Sequence, residues 1–382
     1  MDHPLLNEQH HLIRESVRDF AEKEIRPNAK ELDDKQEFSI EITHKMGDIG
    51  LFGMVVSPDY GGQGMDYLSY IIAVEELARV DSSQAATVAA GNSLGLNPIY
   101  YFGNEEHKKK YLPLLCTGKK LWGFGLTEPN AGSDSRNTKT TAKLADGKWT
   151  INGSKIFITN ASTEITLGSS VQVVSGEKGN EKEFSAILVE NSTPGFTAKT
   201  MHDKMMWRAS NTAELYFDEC KVDESNLLGK RGEGSKIMLS TLDCGRLAIG
   251  AMGLGLAQGA FELALKYSQE RVQFGKPISK QQAISFKLAD MALKVELARN
   301  LLYKACWLKD NDKPFALEAA MSKLYCSEVA KEVADEAVQI HGGYGLMKDY
   351  EIERFYRDQR LLQIGEGTSE IQRLVISRHI GC

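Results

Sequence analysis

Cysteine is scarce in this chain of 382 residues, and its spacing excludes two common small-protein scaffolds. The sequence contains no CxxC pair, and no histidine stands at metal-ligand spacing from a cysteine. A disulfide framework and a zinc-binding module are therefore both excluded. The pattern predicts a protein of a reducing, bacterial-type cytoplasm that folds without a structural metal. The six cysteines are Cys116, Cys220, Cys244, Cys306, Cys326 and Cys382.

The sequence also lacks a targeting segment. Its first twenty residues, "MDHPLLNEQHHLIRESVRDF", have neither the apolar core of a secretory signal nor the acid-poor, Arg- and Ser-rich character of a transit peptide. No apolar run reads as long enough to span a bilayer. We therefore expect a cytoplasmic protein without membrane insertion.

Positive charge is not in excess. Lys and Arg number 46 against 52 Asp and Glu, which gives a formal net charge of -6. A chain with this balance has no overall attraction for a phosphate backbone, so nucleic acid is not an expected partner. Hydrophobic residues at 42% and charged residues at 26% are typical of a globular protein.

The hydrophobic pattern changes twice along the chain. Helical periodicity gives way near residue 122 to alternation, as in "GKWTINGSKIFITN", where Asn152-Gly153 predicts a hairpin turn. Helical periodicity then returns in four stretches typical of a helix bundle, at about 236–270, 279–310, 315–340 and 369–380. The order predicts a mixed α and β fold with separate layers rather than alternating βαβ units. The expected domains are 1–122 (helical), 123–235 (β) and 236–382 (helical bundle).

Two short motifs suggest other functions but lack the required context. "GNSLG" at 91–95 matches a nucleophile elbow, which needs a strand before the serine, whereas the preceding "SQAATVAA" is helix-compatible. A serine hydrolase that uses Ser93 is therefore a remote alternative. "GLGLAQG" at 253–259 resembles a dinucleotide fingerprint, but it lies within a helical pattern with the wrong spacing. Close helix packing explains its glycines better.

Two other segments bring together residues suited to a ligand site. "IGEGTSEIQR" at 364–373 places Glu366 between two glycines, which is either a solvated turn or a carboxylate given room to approach something closely. "LTEPNAGSDS" at 126–135 concentrates hydroxyls, turn formers and backbone N–H groups, which indicates either a ligand-wrapping loop or an ordinary turn. The segments alone leave these alternatives open.

Six segments in the same order along the chain resemble the flavin-dependent acyl-CoA dehydrogenases, most closely the short-chain or butyryl-type members. They are "FGLTEPNAGSDS", "INGSKIFITNA", "DCGRLAIGAMGLGLAQGA", "RVQFGKPISKQQ", "QIHGGYG" and "IGEGTSEIQR". The resemblance implies an N-terminal all-α domain, a middle β-sandwich or barrel domain and a C-terminal four-helix bundle. It also implies FAD between the β domain and the bundle, with a neighbouring subunit completing the site, usually in a homotetramer.

The resemblance further implies which residues bind the cofactor and the acyl-CoA substrate. The flavin contacts would be Phe124, Leu126, Thr127, Gly132, Ser133, Phe157, Ile158, Thr159, Thr368 and Glu370. The contacts to the pyrophosphate and adenosine part, across the subunit boundary, would be Arg271, Phe274, Gln282, Gln339, Ile340, Gly342 and Gly343. The coenzyme A thioester would contact Ser133, Asp243, Gly245, Arg246 and Gly367.

In the implied reaction Glu366 abstracts the α-proton of a short-chain acyl-CoA and flavin N5 takes the β-hydride, and electrons pass to an electron-transfer flavoprotein. A nearby helix terminus, with Ser369 as N-cap, would favour the ionised carboxylate, whereas desolvation by bound substrate would raise its pKa. We expect desolvation to dominate. The alternative within flavoenzymes is an acyl-CoA oxidase, and an inactive flavin- or acyl-CoA-binding module is also conceivable.

Three positions depart from the pattern of many relatives. Phe157 stands where a tryptophan is frequent, which keeps an aromatic ring against the flavin. Gly245 stands where some relatives carry the base on a helix, so that role falls to Glu366. Gly365 replaces a common tyrosine, which predicts a wider pocket that admits a short branched or cyclic acyl group.

Overall fold

The computed structural model describes residues 3–179 and 181–382, apart from the side chain of Lys178. Its first part is helical and includes two π-helical turns, Ala21–Ile25 and Gly91–Leu96. The helices are α1 (Glu8–Phe20), α2 (Arg26–Lys35), α3 (Ile40–Asp48), α4 (Tyr67–Ala78), α5 (Ser82–Ala90), α6 (Asn97–Phe102) and α7 (Glu105–Leu115).

The middle part of the chain forms one sheet. Its strands are β1 (Leu121–Gly125), β2 (Thr141–Ala145), β3 (Lys148–Thr159), β4 (Thr166–Lys178), β5 (Glu181–Glu190), β6 (Phe196–Thr200), β7 (Thr212–Asp223) and β8 (Leu227–Leu228). The strand order is β6-β7-β3-β2-β4-β5-β8, and β1 pairs in parallel with β4. The inward faces of these strands form their own apolar core, centred on Trp149, Ile151 and Val171.

The predicted hairpin turn at Asn152-Gly153 is wrong. β3 runs through this dipeptide, which lies opposite a bulge in β7 where the register of the two strands shifts. The turn lies instead at Asp146-Gly147, where both residues have positive φ angles, 50° and 72°. This dipeptide connects β2 to the antiparallel β3, as expected for a two-residue hairpin loop.

The last part of the chain is a helical bundle. It consists of α8 (Gly234–Glu270), α9 (Gln282–Asp310), α10 (Ala316–His341), α11 (Ile352–Leu362) and α12 (Ser369–His379), with a short hairpin of β9 (Val272–Gln273) and β10 (Lys276–Pro277). The predicted order of helical, β and helical parts is confirmed. The sequence reading missed α11, and the exact domain boundaries stay a prediction.

The central helix α8 packs closely against α4. A Cβ on Gly255 would overlap the carbonyl oxygen of Glu75, and one on Gly259 would overlap that of Arg79. Helix packing therefore accounts for the glycines of "GLGLAQG". The expectation that no stretch is long and apolar enough to span a bilayer is wrong, because α8 meets both criteria. However, 78% of the most apolar window of α8 is buried within the fold.

Helix α11 is fixed to the middle part of the chain through its buried residue Asp358. The backbone N–H of Trp207 donates to Asp358 Oδ1 at 2.8 Å, and its indole N–H donates to the Asp358 carbonyl at 3.1 Å. Arg357 extends this joint by donating to Asp33 at 2.7 Å. Helix α11 is thus held against both the middle part of the chain and α2.

Candidate active site

Glu366 lies in the turn between α11 and α12. Its φ angle is 52°, and that of Gly367 is 92°, so two consecutive residues adopt the left-handed region. The Gly365 N–H donates to the Leu361 carbonyl at 2.8 Å, and Lys323 Nζ donates to the Gly367 carbonyl at 2.7 Å. A non-glycine residue in this region is uncommon and needs surrounding contacts to hold it. These bonds supply such contacts.

The Glu366 carboxylate points at α8. Its Oε2 is enclosed and has no hydrogen-bond partner among the described residues. A Cβ on Gly245 would overlap this oxygen and come within 2.9 Å of Cδ. A Cβ on Gly365 would instead make an ordinary contact of 3.6 Å with Leu361. The room for the carboxylate is therefore provided by Gly245 on α8.

Burial dominates the electrostatics of Glu366. It raises the pKa of this carboxyl to about 7, against the opposing charges of Lys323 and Arg246. Arg246 forms an ion pair with Asp243 one turn away on α8, and its Nε has no hydrogen-bond partner among residues 3–179 and 181–382. The pKa of Glu366 is thus raised, in the expected direction, by the protein itself and without bound substrate. A carboxyl that titrates near operating pH is suited to accept a proton.

The cap of α12 differs from the expected one. Thr368 is the N-cap, since its Oγ1 accepts from the Ile371 N–H at 3.2 Å. Ser369 lies within the helix, and its hydroxyl donates to Glu328 at 2.7 Å. Glu366 still precedes the positive end of the helix by a short turn. The cap also removes the Thr368 hydroxyl acceptor from free use by a ligand.

The raised pKa predicts that Glu366 destabilises the fold as pH rises. Below its ordinary value of 4.5 the carboxyl is protonated in both the folded and unfolded states. Between 4.5 and about 7 only the unfolded state ionises, so stability falls, and above 7 the full cost is present, roughly 3 kcal/mol at most. Glu366→Gln should therefore raise the midpoint of thermal unfolding at pH 8 and leave it unchanged near pH 4.5. Equal shifts at both pH values would contradict this.

An apolar wall continues from Glu366 towards the sheet. Leu94 lies 3.4 Å from the Cβ position of Gly245 and packs in one cluster with Phe124, Leu126 and Met238. The carbonyl of Thr127, the residue after Leu126, accepts from the Ile156 N–H at 3.0 Å. The start of the segment 126–135 and the end of β3 thus meet at this wall, whose Leu94 borders the same Gly245 position as the Glu366 carboxylate.

Phe157 is the exposed aromatic residue of this region. It lies where the β3–β7 register shifts, with a φ angle of 61° and 61% of its surface exposed. Its neighbour Ile158 is buried in the core of the sheet, so it offers a ligand only its backbone. Ser133 is exposed and a Cβ on Gly132 would meet nothing within 4 Å. An exposed ring beside an open polar turn suits a planar, polar cofactor.

A buried ion pair that the sequence reading missed supports this turn. Lys155 Nζ lies 2.7 Å from Glu128 Oε1 and 3.3 Å from the Leu126 carbonyl. Glu128 also accepts from the backbone N–H groups of Lys139 and Thr140, at 2.7 and 3.1 Å. The segment is therefore an internally braced loop rather than a solvated turn. Nothing in the sequence distinguishes these two charged residues from surface ones.

The second group of predicted cofactor residues lies elsewhere. Arg271, Ile340, Gly342 and Gly343 line a cavity of about 480 Å³ near the carboxyl ends of α8 and α10. Phe274, in the β9–β10 turn, has 94% of its surface exposed, and Gln282 and Gln339 are exposed as well. Along α8, Arg271 follows Gly245 by roughly 39 Å at the rise of an α-helix. One chain does not bring this group to Glu366.

Ser93 has no nucleophile geometry. It is buried in the π-helical turn Gly91–Leu96, and its hydroxyl donates to the Ala89 carbonyl at 2.7 Å. α5 precedes it in place of a strand. The prediction that "GNSLG" is no nucleophile elbow is therefore confirmed.

Comparison with known proteins covers the whole of this architecture. Family models for the N-terminal, middle and C-terminal domains of acyl-CoA dehydrogenases match residues 7–119, 123–220 and 232–381. The probable acyl-CoA dehydrogenase YngJ of Bacillus subtilis is 48% identical over 98% of both chains. Butyryl-CoA dehydrogenase of Megasphaera elsdenii has a TM-score of 0.95 at 44% identity over 100% of both chains. A chain in the structure of the electron transferring flavoprotein of Acidaminococcus fermentans has a TM-score of 0.96 at 46% identity, also over 100% of both.

The protein is thus an oxidoreductase of the flavoprotein class, built from helical, β and helical domains. The chain belongs to the acyl-CoA dehydrogenase family, whose cofactor is FAD.

Proposed function

We propose that this enzyme dehydrogenates a short-chain acyl-CoA between its α and β carbons, with Glu366 as the catalytic base. The observation that carries the proposal is an enclosed, unpartnered carboxylate oxygen above Gly245 on α8. A butyryl-CoA dehydrogenase is among the most similar solved structures, which favours a short acyl chain. The cytoplasm remains the predicted compartment.

Glu366 would accept the α-proton of the thioester. Its raised pKa makes it a stronger base than a solvated carboxylate, and its enclosure keeps competing water away. Among the described residues nothing accepts a hydrogen bond from the Glu366 backbone N–H. This N–H is therefore available to the thioester carbonyl, where negative charge develops as the proton leaves. FAD, when bound, supplies the acceptor for the hydride of the β carbon.

The exposed ring of Phe157 and the loop from Thr127 to Ser133 would hold the flavin ring next to Glu366. Arg271, Phe274 and Gly343 would hold the other end of the cofactor, but on a second copy of the chain. The separation of roughly 39 Å along α8 supports this division, because a single FAD molecule is too short to span it. We therefore propose a homo-oligomer, with the tetramer usual in the family, in which two copies complete each site.

Anaerobic titration of the purified holoenzyme with acetyl-, butyryl-, isobutyryl-, octanoyl- and glutaryl-CoA tests the proposed reaction. We expect butyryl-CoA to bleach the main visible flavin band at about one equivalent. Acetyl-CoA should leave the band unchanged, because its methyl group is the α carbon and it has no β carbon. A holoenzyme that no C4 thioester bleaches would overturn the proposal. Reoxidation by an electron-transfer flavoprotein, faster than by oxygen, would support the dehydrogenase over the oxidase.

Gly365 predicts how the pocket selects its substrate. Its φ is not in the left-handed region, and the space at its Cβ position allows a larger side chain. Gly365→Tyr should therefore fold and narrow the pocket beside the reacting carbons. We expect kcat/KM to fall at least about tenfold for isobutyryl-CoA relative to butyryl-CoA, since a group that no longer fits is worth 1–3 kcal/mol. An unchanged ratio would show that residue 365 does not shape the pocket.

A further inference from the structure

A lysine is buried directly beneath the Glu366 turn. Lys323 lies on α10 and has none of its surface exposed. Its Nζ donates to the carbonyl of Gly367 at 2.7 Å. Lysine is almost never fully buried without a charged partner, yet this ammonium forms no ion pair within the described ranges. Its position therefore needs another explanation.

The Gly367 carbonyl is the point at which the turn is fixed. Gln372 Nε2 donates to the same oxygen at 2.9 Å and to the Glu366 carbonyl at 3.3 Å. Gln372 reaches back from α12, whereas Lys323 reaches across from α10. Two donors from different helices thus hold the carbonyl that follows Glu366. Without the lysine the Gly367 carbonyl would be held from α12 alone.

The charged and titratable groups around the Glu366 carboxylate come from three helices. Lys323 faces it from α10, Arg246 from α8 and the Tyr70 phenol from α4. The charge of Arg246 is largely compensated, because Asp243 forms an ion pair with it. Glu328 and Glu370 act on Lys323 only through space. Lys323, which forms no ion pair among the described residues, is therefore the cation with the larger effect on Glu366, ahead of Arg246.

We propose, on the basis of Glu366 as the base, that Lys323 is a positioning residue for catalysis: it fixes the left-handed backbone at residues 366 and 367 and keeps the Glu366 carboxylate ionised before substrate binds. Its geometry carries both roles, since the same ammonium binds the turn and faces the carboxylate. Burial lowers the pKa of Lys323 to about 8, while Glu366 acts to raise it. The two groups thus titrate in neighbouring ranges, near pH 7 for Glu366 and near pH 8 for Lys323.

Lys323→Met removes the ammonium and keeps the length of the side chain. Without the nearby cation the pKa of Glu366 should rise, and an opposite charge at short range is worth about 1–3 units. The acid limb of the kcat/KM profile for butyryl-CoA should therefore move to higher pH by about one unit or more. Relative to wild type, the variant should lose roughly tenfold more activity at pH 6 than at pH 9.

Lys204→Met is the matched control. Lys204 is a half-buried lysine that also donates to a backbone carbonyl, that of Ser210, and burial lowers its pKa to about 8 as well. The charged group that it faces is Asp358 rather than Glu366. We expect Lys204→Met to lower the unfolding midpoint without moving the acid limb. A shift confined to the Lys323 variant separates the charge effect from a general loss of stability.

The outcomes for Lys323 and for the reaction itself are distinguishable. If butyryl-CoA bleaches the wild-type flavin but the acid limb of Lys323→Met coincides with that of wild type, the role of Lys323 is refuted and the reaction stands. If butyryl-CoA does not bleach the wild-type flavin, the proposed reaction itself is refuted. Should Lys323→Met not fold, Lys323→Gln removes the same charge with a smaller apolar change, and its acid limb provides the same test.

Discussion

Glu366→Gln should lower kcat/KM for butyryl-CoA by roughly 10²–10⁴, the contribution of a positioned general base. Glutamine keeps the volume of the side chain, so the enclosed space above Gly245 stays filled. It cannot accept the α-proton, which is only weakly acidic beside a thioester and needs a base in contact with it. Anaerobic rapid mixing should show a flavin band that persists on the time scale in which wild type bleaches. FAD content and the affinity for butyryl-CoA should stay close to those of wild type.

Asp358→Asn is a control for the raised pKa alone. Burial raises the pKa of Asp358 to about 7, as it does for Glu366, but Asp358 accepts a hydrogen bond from the Trp207 N–H. Through this bond Asp358 connects α11 to the middle part of the chain. We expect the asparagine variant to retain bleaching, since its Oδ1 can still accept from the Trp207 N–H. If Glu366→Gln bleached as fast as wild type, the base would have to be sought elsewhere.

The fold follows closely from the sequence pattern, and its errors have a physical cause. Two dipeptides, Asn152-Gly153 and Asp146-Gly147, both carry the signal of a hairpin turn. The choice between them depends on strand pairing, because β3 must stay continuous to pair with β7 along its length. Asn152-Gly153 therefore stays within β3, opposite a bulge in β7. A local signal cannot contain this information, since the partner strand lies far along the chain.

The candidate site shows the same limit. Glycines beside Glu366 marked it as a residue that needs room, but the glycine that provides the room is Gly245 on another helix. Lys323 gave no signal at all, because a lysine within a helical pattern is normally assigned to the solvated face. Both depend on how α8, α10 and the turn before α12 meet. The resemblance supplied Glu366, whereas the packing supplied the two residues that set its position and charge.

Gly245→Ala should displace the Glu366 carboxylate from its place against α8. The new Cβ would overlap Glu366 Oε2, so the carboxylate must move away from α8. A misplacement of about 1 Å can lower activity by about 10²-fold, and we expect a loss of that order in kcat/KM. The variant should fold well, since alanine favours a helix over glycine by about 1 kcal/mol. Gly250→Ala, on the same helix, would come closest to the end of the Leu302 side chain, at 3.1 Å, with ordinary contacts of 3.8 Å to the backbone of Ser322 and Lys323, and should keep wild-type activity.

A double variant tests whether the loss arises from the carboxylate itself. Glu366→Asp shortens the side chain by one methylene, which withdraws the carboxylate from the space that the alanine Cβ takes. Combined with Gly245→Ala it should therefore lose less than the product of the two single losses, because the two residues compete for the same volume. Strictly multiplicative losses would mean that residue 245 acts through another group. Wild-type kcat/KM in Gly245→Ala alone would show that the carboxylate works equally well away from α8.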